Sequence, residues 1–297
     1  MNRTFAAVLS ALLALAALTQ SAFAQDLPAT FSVDGARVTQ SGSGPNSIIL
    51  LPGLGSGAYA FDGLAPQLRA RATVYTVTFP GFDGVQPIAA PYLPAYERIV
   101  EDLIAHHHLV KPVIIGHSLG GHLAVKIAED YPQQPGAVIA LDALPLFPPS
   151  QPGTSAAERA TYVTRIESFM NAPMTDAQYA ASTKQAVDAL VTSPNDAATI
   201  LQHQMHGERA TINGAAIEMM REDLGPNLGA ITAPLLVVAP VDPARSASST
   251  RDYYAAAYTG AKTLSVVTVG PSRHFMMYDQ PEQTASAIAT FLSAHNR

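Results

Sequence analysis

The sequence predicts an α/β fold, a largely parallel sheet with helices on both faces. Two observations carry this. Short apolar runs, each too short for a helix, alternate with stretches of helical periodicity. The runs are solidly apolar rather than alternating, as in strands buried on both sides. Composition agrees. Of 297 residues, 48% are hydrophobic and 13% charged, which excludes a disordered chain or a coiled coil. The length suits one large domain with a sizeable core. With 17 Lys and Arg against 23 Asp and Glu, the chain lacks the basic footprint that nucleic-acid binding requires. There is no Cys, so disulfide frameworks, thiolate metal sites and Cys nucleophiles are excluded.

The first 24 residues read as a secretory signal peptide, with Arg3, an apolar run over 5–18 and an Ala22-Phe23-Ala24 cleavage site. The run is too short to span a bilayer comfortably. Cleavage before Gln25 would leave no stable membrane anchor and place residues 25–297 in the periplasm or outside the cell.

Along the rest of the chain, 31–38 reads as a hairpin turning at Asp34-Gly35. Residues 47–51 and 74–78 are apolar strands ended by Pro52-Gly53 and Pro80-Gly81. A helix is expected over 96–106, a strand over 113–115, a helix over 119–131 and a strand over 137–141. Further strands are expected at 235–239 and 264–269. Asp279, Pro281 and Glu282 signal a last helix, with Ala285, Ile288, Ala289 and Leu292 as its apolar face. About 146–230 the rhythm breaks after a Pro-rich stretch into several helices, read as a cap inserted over the sheet. Met170, Met174, Met205, Met219 and Met220 lie there, either as core packing or as lining of an apolar pocket.

Chemistry concentrates at Gly116-His117-Ser118-Leu119-Gly120. This G-x-S-x-G directly follows a strand and opens a helix, the context of a nucleophile elbow with Ser118 at its tip. A Ser hydroxyl needs a base, and His274, after the last strand, is the candidate. The carbonyl under attack needs backbone donors. Leu119, after the nucleophile, and Leu54, in the Gly-rich loop 52–56, are placed to give them. That loop has no Lys and no phosphate-binding motif. His106, His107 and His108 end a helix and meet its negative pole. His203 and His206 have no carboxylate at metal-ligand spacing and read as polar cap surface. His117 and His122 are expected to pack or hydrogen-bond locally.

Together the elbow, the Gly-rich loop, the segment 79–84 and the closing His274-Phe275 resemble the α/β-hydrolase family of serine esterases and lipases. The resemblance covers about 47–292. It implies an eight-stranded, mostly parallel sheet with a helical lid after the sixth strand. Many relatives carry His-Gly where this chain has Pro52-Gly53, which keeps the backbone donor. The resemblance also implies an acid to orient His274. Asp242, after the strand 235–239, occupies the usual place and is favoured. Asp142, at the end of 137–141, is the alternative.

The expected function is therefore hydrolysis of a small-molecule carboxylic ester through an acyl-enzyme on Ser118, with no cofactor and no metal. The sequence does not define an oligomeric state. An amidase or aminopeptidase, or a lactonase, would use the same residues. The cap acids are spread out rather than clustered for an ammonium group, which favours the ester. A non-catalytic binding protein of this fold is the rival from another class.

Overall fold

A computed structural model of the chain describes residues 28–149 and 154–295. The expected signal peptide, residues 1–24, lies outside the described residues. Eight strands form one sheet in the order β1-β2-β4-β3-β5-β6-β7-β8. β1 (Ala29–Val33) and β2 (Ala36–Ser41) form the expected hairpin. Its turn residues, Asp34 at φ 44° and Gly35 at φ 85°, both take the left-handed conformation of a tight two-residue turn. β2 also runs antiparallel to β4 (Ala72–Thr78). From β4 through β3 (Asn46–Leu51), β5 (Val113–His117), β6 (Ala137–Leu141), β7 (Leu235–Pro240) and β8 (Leu264–Val269), every pairing is parallel.

The apolar runs form strands because only a sheet covered on both faces buries them completely. All five residues of β5 and of β6 are buried. Side chains such as Ile114, Ile115, Val138 and Ile139 each contribute about 1.5–3 kcal/mol by leaving water. The core divides into two clusters built from alternate residues of these strands. One takes in Ile114 and Val138 together with residues of the Tyr92–His106 and Leu119–Asp130 helices. The other takes in Ile115 and Ile139 with residues of the final Pro281–Ala294 helix. β8 departs from the expected solid run. As the edge strand it alternates between more and less exposed positions, with Val267 39% exposed.

Between β6 and β7 the expected insertion holds four helices, Ala156–Met170, Asp176–Leu190, Pro194–Gln204 and Arg209–Arg221. Each start is defined locally. Ser155 with Glu158, and Thr175 with Gln178, make reciprocal capping boxes, while Ser193 and Glu208 accept from the first turns that follow them. The insertion is fastened to the sheet layer. The Glu218 carboxylate accepts from the amides of Tyr92 and Leu93, both at 2.8 Å, at the start of the Tyr92–His106 helix. Glu208 N donates to Gly81 O at 2.7 Å, and Gly84 N donates to His206 O at 3.1 Å. Among the described residues, no helix is long and apolar enough to cross a membrane.

Candidate active site

Ser118 sits between β5 and the helix that begins at Leu119, with φ 53° and ψ −118°. Such a backbone costs of order 1–3 kcal/mol and persists only where the surroundings enforce it. The glycines of the motif make the turn possible. A Cβ at Gly116 would run into the Gly120 carbonyl, and one at Gly120 into the Leu51 carbonyl. Ser118 N donates to Leu141 O at 2.9 Å, tying the elbow to the end of β6.

The Gly-rich loop after β3 lies over the elbow. A Cβ at Gly53 would come within 3.2 Å of the Ser118 Cβ. Gly53 O accepts from Ser56 N at 3.0 Å, closing a turn around Leu54 and Gly55, with Gly55 at φ 68°. That turn does not use the Leu54 amide. The Leu119 amide, at the first position of its helix, has no intrahelical acceptor. Leu54 is half-buried and Leu119 buried.

Of the two candidate acids, Asp142 and not Asp242 meets His274. Asp142 Oδ2 lies 2.6 Å from His274 Nδ1. Asp242 is exposed and accepts from Ala244 N at 2.8 Å within its own turn. The sheet order explains the difference. β6 adjoins the elbow strand, with Leu141 opposite His117, whereas β7 stands one strand farther away. Asp142 takes φ 44°, and its amide donates to Val238 O at 3.0 Å.

Two tyrosines one helical turn apart hold this acid. Tyr254 donates its hydroxyl to Asp142 Oδ1, and Tyr258 donates to Ala143 O at 3.0 Å. Both project from the Ala247–Ala257 helix or its C-terminal cap. Burial alone would raise Asp142. The neighbouring His274 and the hydrogen bonds from His274 and Tyr254 instead hold it below the usual carboxylate range. Burial, with the Asp142 charge adding to it, pushes Tyr254 upward, so its hydroxyl stays a donor.

His117, fully buried beside Ser118, donates from Nε2 to the His274 carbonyl at 3.1 Å, and their ring centroids are 4.5 Å apart. Burial, with His274 adding to it, brings His117 down to about 3, so it is neutral. The His274 loop is pinned further. Arg273 N donates to Asp279 Oδ2 at 2.7 Å, and Phe275 N donates to Leu190 O at 3.0 Å. Among the described residues Ser118 Oγ makes no hydrogen bond. Elbow and His274 are joined through His117.

The other histidines divide. His122 is buried between Leu144 O, at 3.1 Å, and the Glu222 carboxylate, at 3.0 Å. His106 ends its helix, and His107 stacks on Phe31. His203 finds a carboxylate that local spacing does not show, Asp83, 2.9 Å away. The sequence reading missed Tyr254, Tyr258 and this contact. The tyrosines' i, i+4 spacing marked a shared helix face but not what it faces.

Residues 48–287 match the model of the Alpha/beta hydrolase family. A pimeloyl-[acyl-carrier protein] methyl ester esterase of Aeromonas hydrophila subsp. hydrophila is 30% identical over 113 residues, covering 37% of this chain and 42% of that protein. A 2-hydroxy-6-oxononadienedioate/2-hydroxy-6-oxononatrienedioate hydrolase of Cupriavidus pinatubonensis is 24% identical, covering 67% of this chain and 71% of its own. The chain spans about a quarter of the length of the first curated relatives it matches. Among solved structures, an esterase from Exiguobacterium antarcticum superimposes with a TM-score of 0.72 at 16% identity, over 90% of this chain and all of that one. With an elbow after the fifth strand, a mostly parallel eight-stranded sheet and a family match across 240 residues, this chain belongs to the alpha/beta hydrolase family.

Proposed function

We propose that this protein is a serine hydrolase that cleaves carboxylic esters of small molecules through an acyl-enzyme. The observation that carries the reading is the 2.6 Å contact between Asp142 and His274, made at the end of the strand beside the elbow. A carboxylate on Nδ1 fixes the tautomer, leaving Nε2 as the base. In the proposed reaction Nε2 takes the Ser118 proton as Oγ attacks the ester carbonyl. The Leu54 and Leu119 amides receive the oxyanion, each contributing about 3 kcal/mol to lowering the barrier. His274 returns the proton to the departing alcohol. Water, deprotonated by the same imidazole, then releases the acid.

Apolar cap side chains support a preference for uncharged acyl groups. Leu54 packs against a small cluster of Val163, Ala216 and Met220, and Gly55 lies against Ile212. The esterase among the relatives supports ester over amide chemistry. The reading includes export, on the strength of the leader pattern in residues 1–24. The test is a kcat/KM series on chromogenic esters of increasing acyl length, with lactones and peptide amides beside them. Short to medium apolar esters are expected to lead. A preference for charged peptides would move the assignment to a peptidase.

A further inference from the structure

The loop after β4, the last turn of the Pro194–Gln204 helix and the turn that follows it bring together three residues, Asp83, His203 and His206. One potential ligand atom of each lies within 4.8 Å of the other two. We propose that these residues form a zinc site that fastens the helical insertion to the core.

The donor set is selective. Two imidazoles and one carboxylate suit zinc, whereas magnesium and calcium take oxygen ligands. Three protein ligands also leave room for water in a four-coordinate site. Two of the three ligands already touch, and the third stands close by. With tetrahedral bonds of about 2.0–2.2 Å, neighbouring ligand atoms on one zinc ion stand about 3.3–3.6 Å apart, so the present hydrogen bond between His203 and Asp83 would open by about half an ångström. His203 Nδ1 and Asp83 Oδ1 are 2.9 Å apart. The His203 ring is fixed by stacking on the buried Tyr59, with 3.9 Å between centroids and 11° between planes. The other Asp83 oxygen, Oδ2, accepts from Arg37 at 2.9 Å, so a separate partner orients the carboxylate and leaves Oδ1 for the ion. His206 is exposed and has only to swing inward.

The two halves are held in place by bonds that need no ion. Gly84 N donates to His206 O, and Glu208 N to Gly81 O, so the backbone on each side is already docked. Arg37 opposes an incoming cation, but its side chain is 40% exposed and therefore screened by solvent. The proposed reaction at Ser118 does not pass through this ion.

The test uses untagged full-length protein stripped with EDTA and desalted. Zinc chloride is titrated by calorimetry, and melting is followed with and without the metal. The wild type is expected to bind one zinc at this site and to melt roughly 5 °C higher at a hundredfold excess over Kd. His206→Ala is the decisive variant, because it leaves the Arg37–Asp83–His203 contacts in place. It should lose that equivalent and the thermal shift while melting like wild type without metal. His203→Ala and Asp83→Asn should also lose it. A double His106→Ala, His108→Ala variant, changing the other histidine cluster, should keep it. Magnesium and calcium should give no shift. A wild type that takes up no zinc would overturn the proposal and leave an ion pair only. So would binding that survives His206→Ala or disappears with the other cluster.

Discussion

At the scale of single residues, the proposed chemistry depends on which carboxylate His274 meets. Asn at position 142 would keep the shape but present a donor to Nδ1, favouring the wrong tautomer and removing the charge that supports the imidazolium. Asp142→Asn is therefore expected to lower kcat by about 10⁴-fold. Asp242→Asn, changing an exposed carboxylate engaged only in its own turn, should stay within about threefold of wild type. Steady-state kinetics on one chromogenic ester checks both. Equal losses would mean that His274 is not oriented by Asp142. Ser118 and His274 were legible in the sequence because their signals are local, an elbow directly after a strand and a His directly after the last one. The acid was not. Its choice depends on which strand end lies beside the elbow, and that follows from a sheet order written nowhere in the local sequence.

At the scale of elements, the Ala247–Ala257 helix and its cap act as a clamp on the loop after β6. Tyr254 and Tyr258 reach Asp142 Oδ1 and the Ala143 carbonyl from one helix face. Asp142 holds a left-handed backbone that costs roughly 1 kcal/mol or more, and the clamp offsets this. Tyr254→Phe removes a hydrogen bond to a charged group, an interaction of about 1.5–3 kcal/mol. It should lower kcat roughly tenfold or more with KM nearly unchanged. Tyr258→Phe, which touches only a backbone carbonyl, should alter melting more than kcat. A Tyr254→Phe change that raised KM and left kcat intact would assign Tyr254 to substrate binding. The strands were legible, since burial on both faces leaves solid apolar runs, as were the helices of the elbow and the C-terminus; the Ala247–Ala257 helix was not foreseen, and the Tyr92–His106 helix starts four residues before the expected 96. β3, β4 and β5 extend one or two residues beyond the apolar runs, where polar, alanine or glycine residues still pair. The four cap helices carried readable start signals, as in Ser155 to Glu158, but nothing local told which face each turns to the core. The reading of His203 and His206 as polar cap surface, for want of a carboxylate at metal-ligand spacing, missed Asp83 for the same reason, because it reaches His203 from 120 residues away.

At the scale of the whole molecule, several acids gather around Lys126 on the elbow helix. Lys126 faces Asp130 at 2.6 Å, Glu222 at 3.4 Å and Glu97 at 3.8 Å. Burial pushes Glu97 up to about 7 and Glu129 up to about 8, with Asp130 and Glu222 adding to the rise and Lys126 opposing it. Raised carboxyl groups bind more protons folded than unfolded between the ordinary carboxyl value and their own. Stability from Glu97 and Glu129 is thus fully present below about pH 4.5 and is lost as pH rises through 7 to 8. Glu129→Gln should flatten that decline, raising the melting temperature by a few degrees at pH 8.5 and little at pH 5. Thermal melts across this range check it, and a larger gain at pH 5 would reverse the sign. The proposed reaction requires Ser118 to be an activated nucleophile. A fluorophosphonate probe tests it most directly, because an unactivated hydroxyl does not displace its fluoride. Intact-mass measurement should show one probe added per wild-type chain, on Ser118, and none on Ser118→Ala folded to the same circular dichroism spectrum. An unlabelled wild type, or equal labelling of Ser118→Ala, would contradict the account.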